Sequence, residues 1–144
     1  MKVLLLLHLA STWAMVGLIW FVQIVHYPLF DRVGGTGFAV YEKTHQRLTT
    51  WVVGPLMLLE LATAAGLLVS ALRSQSASLP WAAAGALLLA GIWATTFLLS
   101  VPQHQKLAQG FDARAHARLV TTNWLRTLGW TARGGIALWL AAGF

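Results

Sequence analysis

The sequence predicts an all-α protein, an up-down bundle of four transmembrane helices, and three observations carry that expectation. The 144 residues are 58% hydrophobic and hold only ten Lys/Arg and four Asp/Glu, where an ordinary soluble domain is about a quarter charged. Four apolar runs divide the chain, each near the roughly 20 residues that cross a bilayer core. No strand-period alternation and no internal repeat interrupts them. This composition argues against a water-soluble globule, a disordered tail and a fibrous protein alike. The length allows one domain, taken as residues 1–144. The absence of Cys removes disulfides, thiolate metal sites and a Cys nucleophile.

The first helix is expected over residues 3–26, since no formal charge lies between Lys2 and Asp31. A basic start followed by leucines is also the pattern of a secretory leader, whose apolar region is about 7–15 residues long. Here the apolar run continues through Trp20 and Phe21, so it is read as a retained span. The second helix is expected over 38–72, with Glu60 the one charge deep within it and a kink at Gly54-Pro55. Its opening stretch, Phe38 to Arg47, reads as water-exposed first turns capped by Thr36, with a mobile lid as the other reading. The third is expected over 79–108, opened by Pro80 in its first turn. Its small residues Gly85, Gly91 and Ala94 allow close helix approach in lipid. The fourth is expected over 113–143, with Asp112 as its N-cap, and enters the membrane near Asn123.

Four spans put the loops after the first and third helices on one face. That face carries Arg32, Lys43, Arg47, Lys106, Arg114 and Arg118, with Arg126 at its edge, against Lys2 and Arg73 on the other. The positive-inside rule then places both long loops in the cytoplasm and both termini outside, in a cytoplasmic (inner) membrane. The net charge of +6 is thus loop charge that sets orientation, and no nucleic-acid partner is expected. The expected partners are membrane lipids and a lipophilic small molecule, and a homo-oligomer forming a pore is also compatible.

Four histidines gather on the cytoplasmic side: His26, His45, His104 and His116. A metal ion or haem iron needs neutral imidazoles converging from different elements. His26, His45 and His104 are therefore the candidate ligands of copper, iron or zinc, or of haem. His116 stands apart, read as solvated among Arg114 and Arg118. Glu42, Gln46, Gln103, Gln105 and Asp112 are further ligands or acceptors for ring N–H groups. The opposing reading leaves all these histidines among lipid headgroups, and no compact His-Glu-x-x-His motif is present.

Deeper in the bundle, Glu60 lies 12 residues before Leu72 and Arg133 lies 11 before Phe144. Both are roughly 17 Å from the outer helix ends at 1.5 Å per residue. Unpaired charges at that depth are costly, so a Glu60–Arg133 ion pair is expected, as a structural pin or as part of a site. Asn123, Arg126, Trp130 and Arg133 recur at steps of three, four and three, and so share one helix face. His8 stands about 27 Å of helix from His26 and is read as a packing histidine. Gln23 orients His26 or lines a cavity, and Trp13, Trp20, Trp93 and Trp130 either pack the bundle or line that cavity. There is no P-loop and no Ser-centred nucleophile elbow.

Val101-Pro102, Leu107, Asp112 and the run Thr122-Asn123-Trp124-Leu125-Arg126-Thr127-Leu128 resemble the end of the anthrone oxygenase-like family of small four-helix membrane proteins. His26-Tyr27-Pro28-Leu29-Phe30 and Gly54-Pro55-Leu56-Met57 with Glu60 follow its general plan. The resemblance implies a four-helix membrane fold and oxygenation of polycyclic anthrones to quinones. The leading expectation is then a membrane oxidoreductase acting on a lipophilic aromatic or quinone-like substrate. His45 would serve as an acid/base group or ligand, and Asn123 and Arg126 would stabilise developing oxyanion charge. Two alternatives stand beside it. One is a non-enzymatic subunit, lipid-binding or channel-forming protein; the other is a haem-based electron carrier.

Overall fold

A computed structural model describes residues 1–143; Phe144, the last residue of the expected single domain, lies outside the described residues. Four long helical stretches form an up-down bundle, with no strand among the described residues. Helix α1 (Lys2–Phe21) continues through a π-helical turn, Val22–His26, and a 3₁₀ turn, Pro28–Arg32. Helix α2 (Phe38–Ser74) runs unbroken through Pro55. Helix α3 (Leu79–Leu107) holds a second π-helical turn, Thr96–Ser100. Helix α4 spans Ala113–Ala142.

Neighbouring helices are antiparallel. His8 meets Thr63 and Thr12 meets Glu60 across α1 and α2. Trp20 meets Thr131 across α1 and α4, and Arg133 meets the Gly85 carbonyl across α4 and α3. Gln46 meets the His104 carbonyl across α2 and α3, closing the square. The approach is tight where glycine permits it: a Cβ on Gly129 would stand 3.0 Å from Ile92. At one end Trp81 packs on Trp139 with ring centroids 4.7 Å apart, and near the other Trp20 meets Trp124 edge-on at 5.7 Å.

The bundle buries a set of polar groups beside its apolar core and is apolar on its outside. Thr12, Glu60, Asn123, Thr127 and Arg133 are buried, while Leu6, Trp51, Leu87, Leu98 and Leu128 are exposed. Such an outer surface suits lipid and would associate in water. Stretches Lys2–Arg32, Phe38–Ser74 and Leu79–Leu107 are long and apolar enough to cross a membrane. Helix α4 falls outside that set despite its 30 residues, because it carries the bundle's inward-facing polar groups.

Two local expectations are corrected. Gly37, without any side-chain cap, precedes α2 in place of Thr36. The stretch from Phe38 does form the first turns of α2, and it is exposed on one face at Val40, Lys43 and Arg47, but its other face, with Phe38 and Glu42, is buried in the core. Asp112 does cap α4: its Oδ1 accepts from the Ala115 N–H at 2.8 Å. That backbone donor holds the Asp112 carboxyl below its ordinary value of 3.8.

Candidate functional site

The loops after α1 and α3 meet at one end of the bundle, where Phe38 packs on Phe111 and His116 donates to the Tyr27 carbonyl at 2.7 Å. The four histidines of this end surround one fully buried ring, Phe30. Its centroid lies 5.3 Å from His26, 5.2 Å from His45, 6.4 Å from His104 and 6.1 Å from His116. His116 is therefore half-buried and structural, not solvated: it fixes the backbone that presents Tyr27.

Within this cluster Glu42, His104 and Tyr27 form a chain. His104 Nδ1–H donates to Glu42 Oε1 at 2.6 Å, and the Tyr27 hydroxyl donates to His104 Nε2 at 2.9 Å. Gln46 Nε2 adds bonds to Glu42 Oε1 (3.0 Å) and to the His104 carbonyl (2.9 Å). A buried carboxylate that orients an imidazole against a hydroxyl is arranged to move a proton. His45 stands beside the chain, its Nδ1 held by His26 Nε2 at 2.9 Å and Thr49 Oγ1 at 3.1 Å.

These groups close one end of a cavity of about 390 Å³ between α2 and α3. Val53, Met57, Leu18 and Trp93 make its walls apolar, and Tyr27, His45, His104 and Arg126 make its inner end polar. Leu58 and Phe97 line the cavity yet are more than half exposed, so it opens sideways through the outer surface of the bundle. Trp93 is thus the one member of the tryptophan set that lines the cavity. Trp130 is buried with its Nε1 on Glu60, and Trp13 packs on Gly134.

Arg126 reaches this cavity from α4 although only 7% of the residue is exposed. Its Nη1 donates to Asn123 Oδ1 at 2.9 Å, and its guanidinium lies 5.3 Å from the centre of the Trp130 ring. Its Nε has no partner among the described residues. Asn123 does not line the cavity; its Nδ2 donates to Gln23 Oε1 at 2.9 Å, and Gln23 Nε2 in turn donates to the Val120 carbonyl. The expected catalytic pair thus divides: Arg126 faces the cavity, and Asn123 with Gln23 positions it.

Farther along the same face of α4, Arg133 Nε donates to Glu60 Oε1 at 2.9 Å, and Trp130 Nε1 donates to Glu60 Oε2 at 2.9 Å. Thr12 adds a third donor. Both side chains of this pair are buried and neither lines the 390 Å³ cavity, so Glu60–Arg133 joins α2 to α4. His8 Nδ1–H donates to Thr63 Oγ1, whose own hydrogen goes to a backbone carbonyl of α2.

Of the expected ligands, His45 and His104 converge, and Glu42 joins them in place of His26. One ligand atom from each of Glu42, His45 and His104 lies within 4.8 Å of the others. His26 meets His45 from behind. A haem held between His45 and His104 does not fit: their rings lie 5.5 Å apart at 34°, with edges bonded to His26, Thr49, Glu42 and Tyr27, so no planar slot separates them. Sequence reasoning misses Tyr27 and gives Glu42 only a supporting role. The signal for Glu42 is its spacing of three residues from His45, which puts both on one helix face. Known protein families, curated proteins and solved structures yield no match to this chain.

Proposed function

We propose that this chain is an integral membrane oxidoreductase of the oxygenase type, acting on a lipophilic aromatic or quinone-like substrate. One observation carries the reading: an apolar cavity that opens sideways between α2 and α3 and ends on Tyr27, His45, His104 and Arg126. Ligand pockets combine such apolar walls with a few convergent polar groups. The resemblance to the anthrone oxygenase-like family supports the same class of substrate.

In this reading the substrate's ring system lies among Val53, Met57 and Trp93, with its ring oxygen against Arg126. The Tyr27–His104–Glu42 chain takes up a proton from an activated ring carbon, and Arg126 stabilises the oxyanion that develops. Dioxygen, itself apolar and soluble in lipid, is the oxidant. A ring CH₂ and O₂ become a ring C=O and water, and the abstracted proton leaves in that water. All four helices span the membrane, α4 with its polar face turned inward. Arg32, Lys43, Arg47, Lys106, Arg114 and Arg118 mark the cytoplasmic face of an inner membrane, and both termini lie outside.

The test is dioxygen uptake together with quinone absorbance when the detergent-purified protein meets an anthrone. Wild type is expected to exceed the buffer rate, and Val53→Trp, which fills the cavity, is expected to return it to that rate. A folded protein that binds anthrone without consuming dioxygen would remove the enzyme and leave a lipophile-binding membrane protein.

A further inference from the structure

We propose that Glu42, His45 and His104 form a binding site for one divalent first-row transition metal ion. Two imidazoles and one carboxylate, each offering an atom within 4.8 Å of the others, are a donor set suited to iron(II) or zinc. With no Cys in the chain, no thiolate competes to select a softer ion. A tetrahedral ion with bonds near 2.1 Å needs ligand atoms roughly 3.4 Å apart. The site therefore draws its widest pair together by side-chain rotation.

A second observation, independent of the clustering, points to a cation. Glu42 is fully buried, yet its Oε2 has no hydrogen-bond partner among the described residues. A buried carboxylate oxygen left bare is costly, and a cation satisfies it. His45 is also presented for ligation. Its Nδ1 is held by His26 and Thr49, which orients the ring and leaves Nε2 free of any hydrogen bond among the described residues. On His104, Tyr27 fixes Nε2, while Nδ1 already shares a proton with Glu42. An ion held by Glu42 Oε2 and His104 Nδ1 displaces that proton and opens the 2.6 Å contact. Nε2 then carries the ring hydrogen and donates it to the Tyr27 oxygen, so the Tyr27–His104–Glu42 proton path belongs to the metal-free protein. Tyr27 and His26 become the outer partners that hold the ligands in place. The sequence spacing supports the same set, since Glu42 and His45 are three residues apart on α2.

The site goes beyond the substrate reading and is separable from it. His45 and His104 also line the cavity, so a bound ion would act as a Lewis acid at its polar end, beside Arg126.

The test uses full-length protein in mild detergent, stripped with a chelator and titrated with cobalt(II) as a spectroscopic probe. Zinc and iron(II) are then measured by competition. The expected result is one ion per chain, with affinity reduced at least 100-fold in His45→Gln and Glu42→Gln. A reduction of about 10-fold is expected in His26→Ala, and wild-type affinity in His8→Gln. Circular dichroism of each variant shows that it is folded, and where Glu42→Gln fails to fold, His45→Gln decides alone. Absence of binding by folded wild type, or equal binding by His45→Gln and His8→Gln, overturns the proposal. Anthrone binding to the stripped protein, followed by tryptophan fluorescence, separates the two readings. Retained anthrone binding without metal binding overturns the metal site alone, and the converse result overturns the substrate reading alone.

Discussion

Tyr27 and His104 are 77 residues apart in the chain, yet the phenol oxygen stands 2.9 Å from His104 Nε2. The contact joins the end of the π-helical turn of α1 to the last turns of α3, and it aims the Glu42-oriented imidazole at the cavity. In the proposed reading the Tyr27 hydroxyl takes part in proton transfer, and removing it isolates that part. Tyr27→Phe is expected to lower kcat toward an anthrone by about 100-fold, with KM and fold little changed. Steady-state kinetics beside a thermal melt checks this. A parallel rise in KM would make Tyr27 a binding group instead.

Arg126 is expected to bind the substrate oxygen through a forked pair of N–H donors that lysine cannot reproduce. Arg126→Lys retains the charge and should still weaken ligand binding by about tenfold or more, the scale of a lost hydrogen bond to a charged group. Equilibrium binding of an anthrone measures it. Equal affinity in the lysine variant would mean that charge alone suffices.

The Glu60–Arg133 pair is expected to govern stability. Either Glu60→Gln or Arg133→Met strands a buried partner and should cost about 3–5 kcal/mol. The double variant Glu60→Met/Arg133→Met should cost less than the sum of the two, because neither charge is then left alone. Unfolding in mixed detergent measures all three. Additive losses would show that the two side chains act independently.

Asp112 supplies a pH test outside the membrane-spanning segments. Its carboxyl is held below 3.8 by the Ala115 N–H, so the folded state favours the ionised form. That contribution is fully present above 3.8 and is lost as pH falls through the lower folded-state value. Asp112→Ala should therefore melt below wild type at neutral pH, with the gap narrowing under acid. A gap that stays constant across the acid range would show that the cap acts without its charge.

The four helices are legible in the sequence because charge is so sparse that each apolar run has distinct ends. The Glu60–Arg133 pairing is legible from depth alone, since two buried charges at one level of a bundle have few other partners. Tyr27 is not legible, and the reason is the π-helical turn Val22–His26, which ends just before it. Such a turn inserts one residue into the helical register and rotates the residues beyond it by about 100° relative to a regular helix. A count by 3.6 therefore misplaces their side chains. The same effect at Thr96–Ser100 precedes His104 on α3. Glu42 reads as a supporting residue only while the first turns of α2 are placed in water, whereas Phe38 and Glu42 are in fact buried.

The sideways opening past Leu58 and Phe97 has a consequence for the meaning of concentration at this cavity. A ligand arriving through lipid is at equilibrium with the amount dissolved in the hydrocarbon, so its mole fraction in the membrane governs occupancy. At fixed total ligand, added lipid dilutes the ligand and should register as weaker affinity. Two compounds bound equally well by the protein would then differ in potency by their partition coefficients alone.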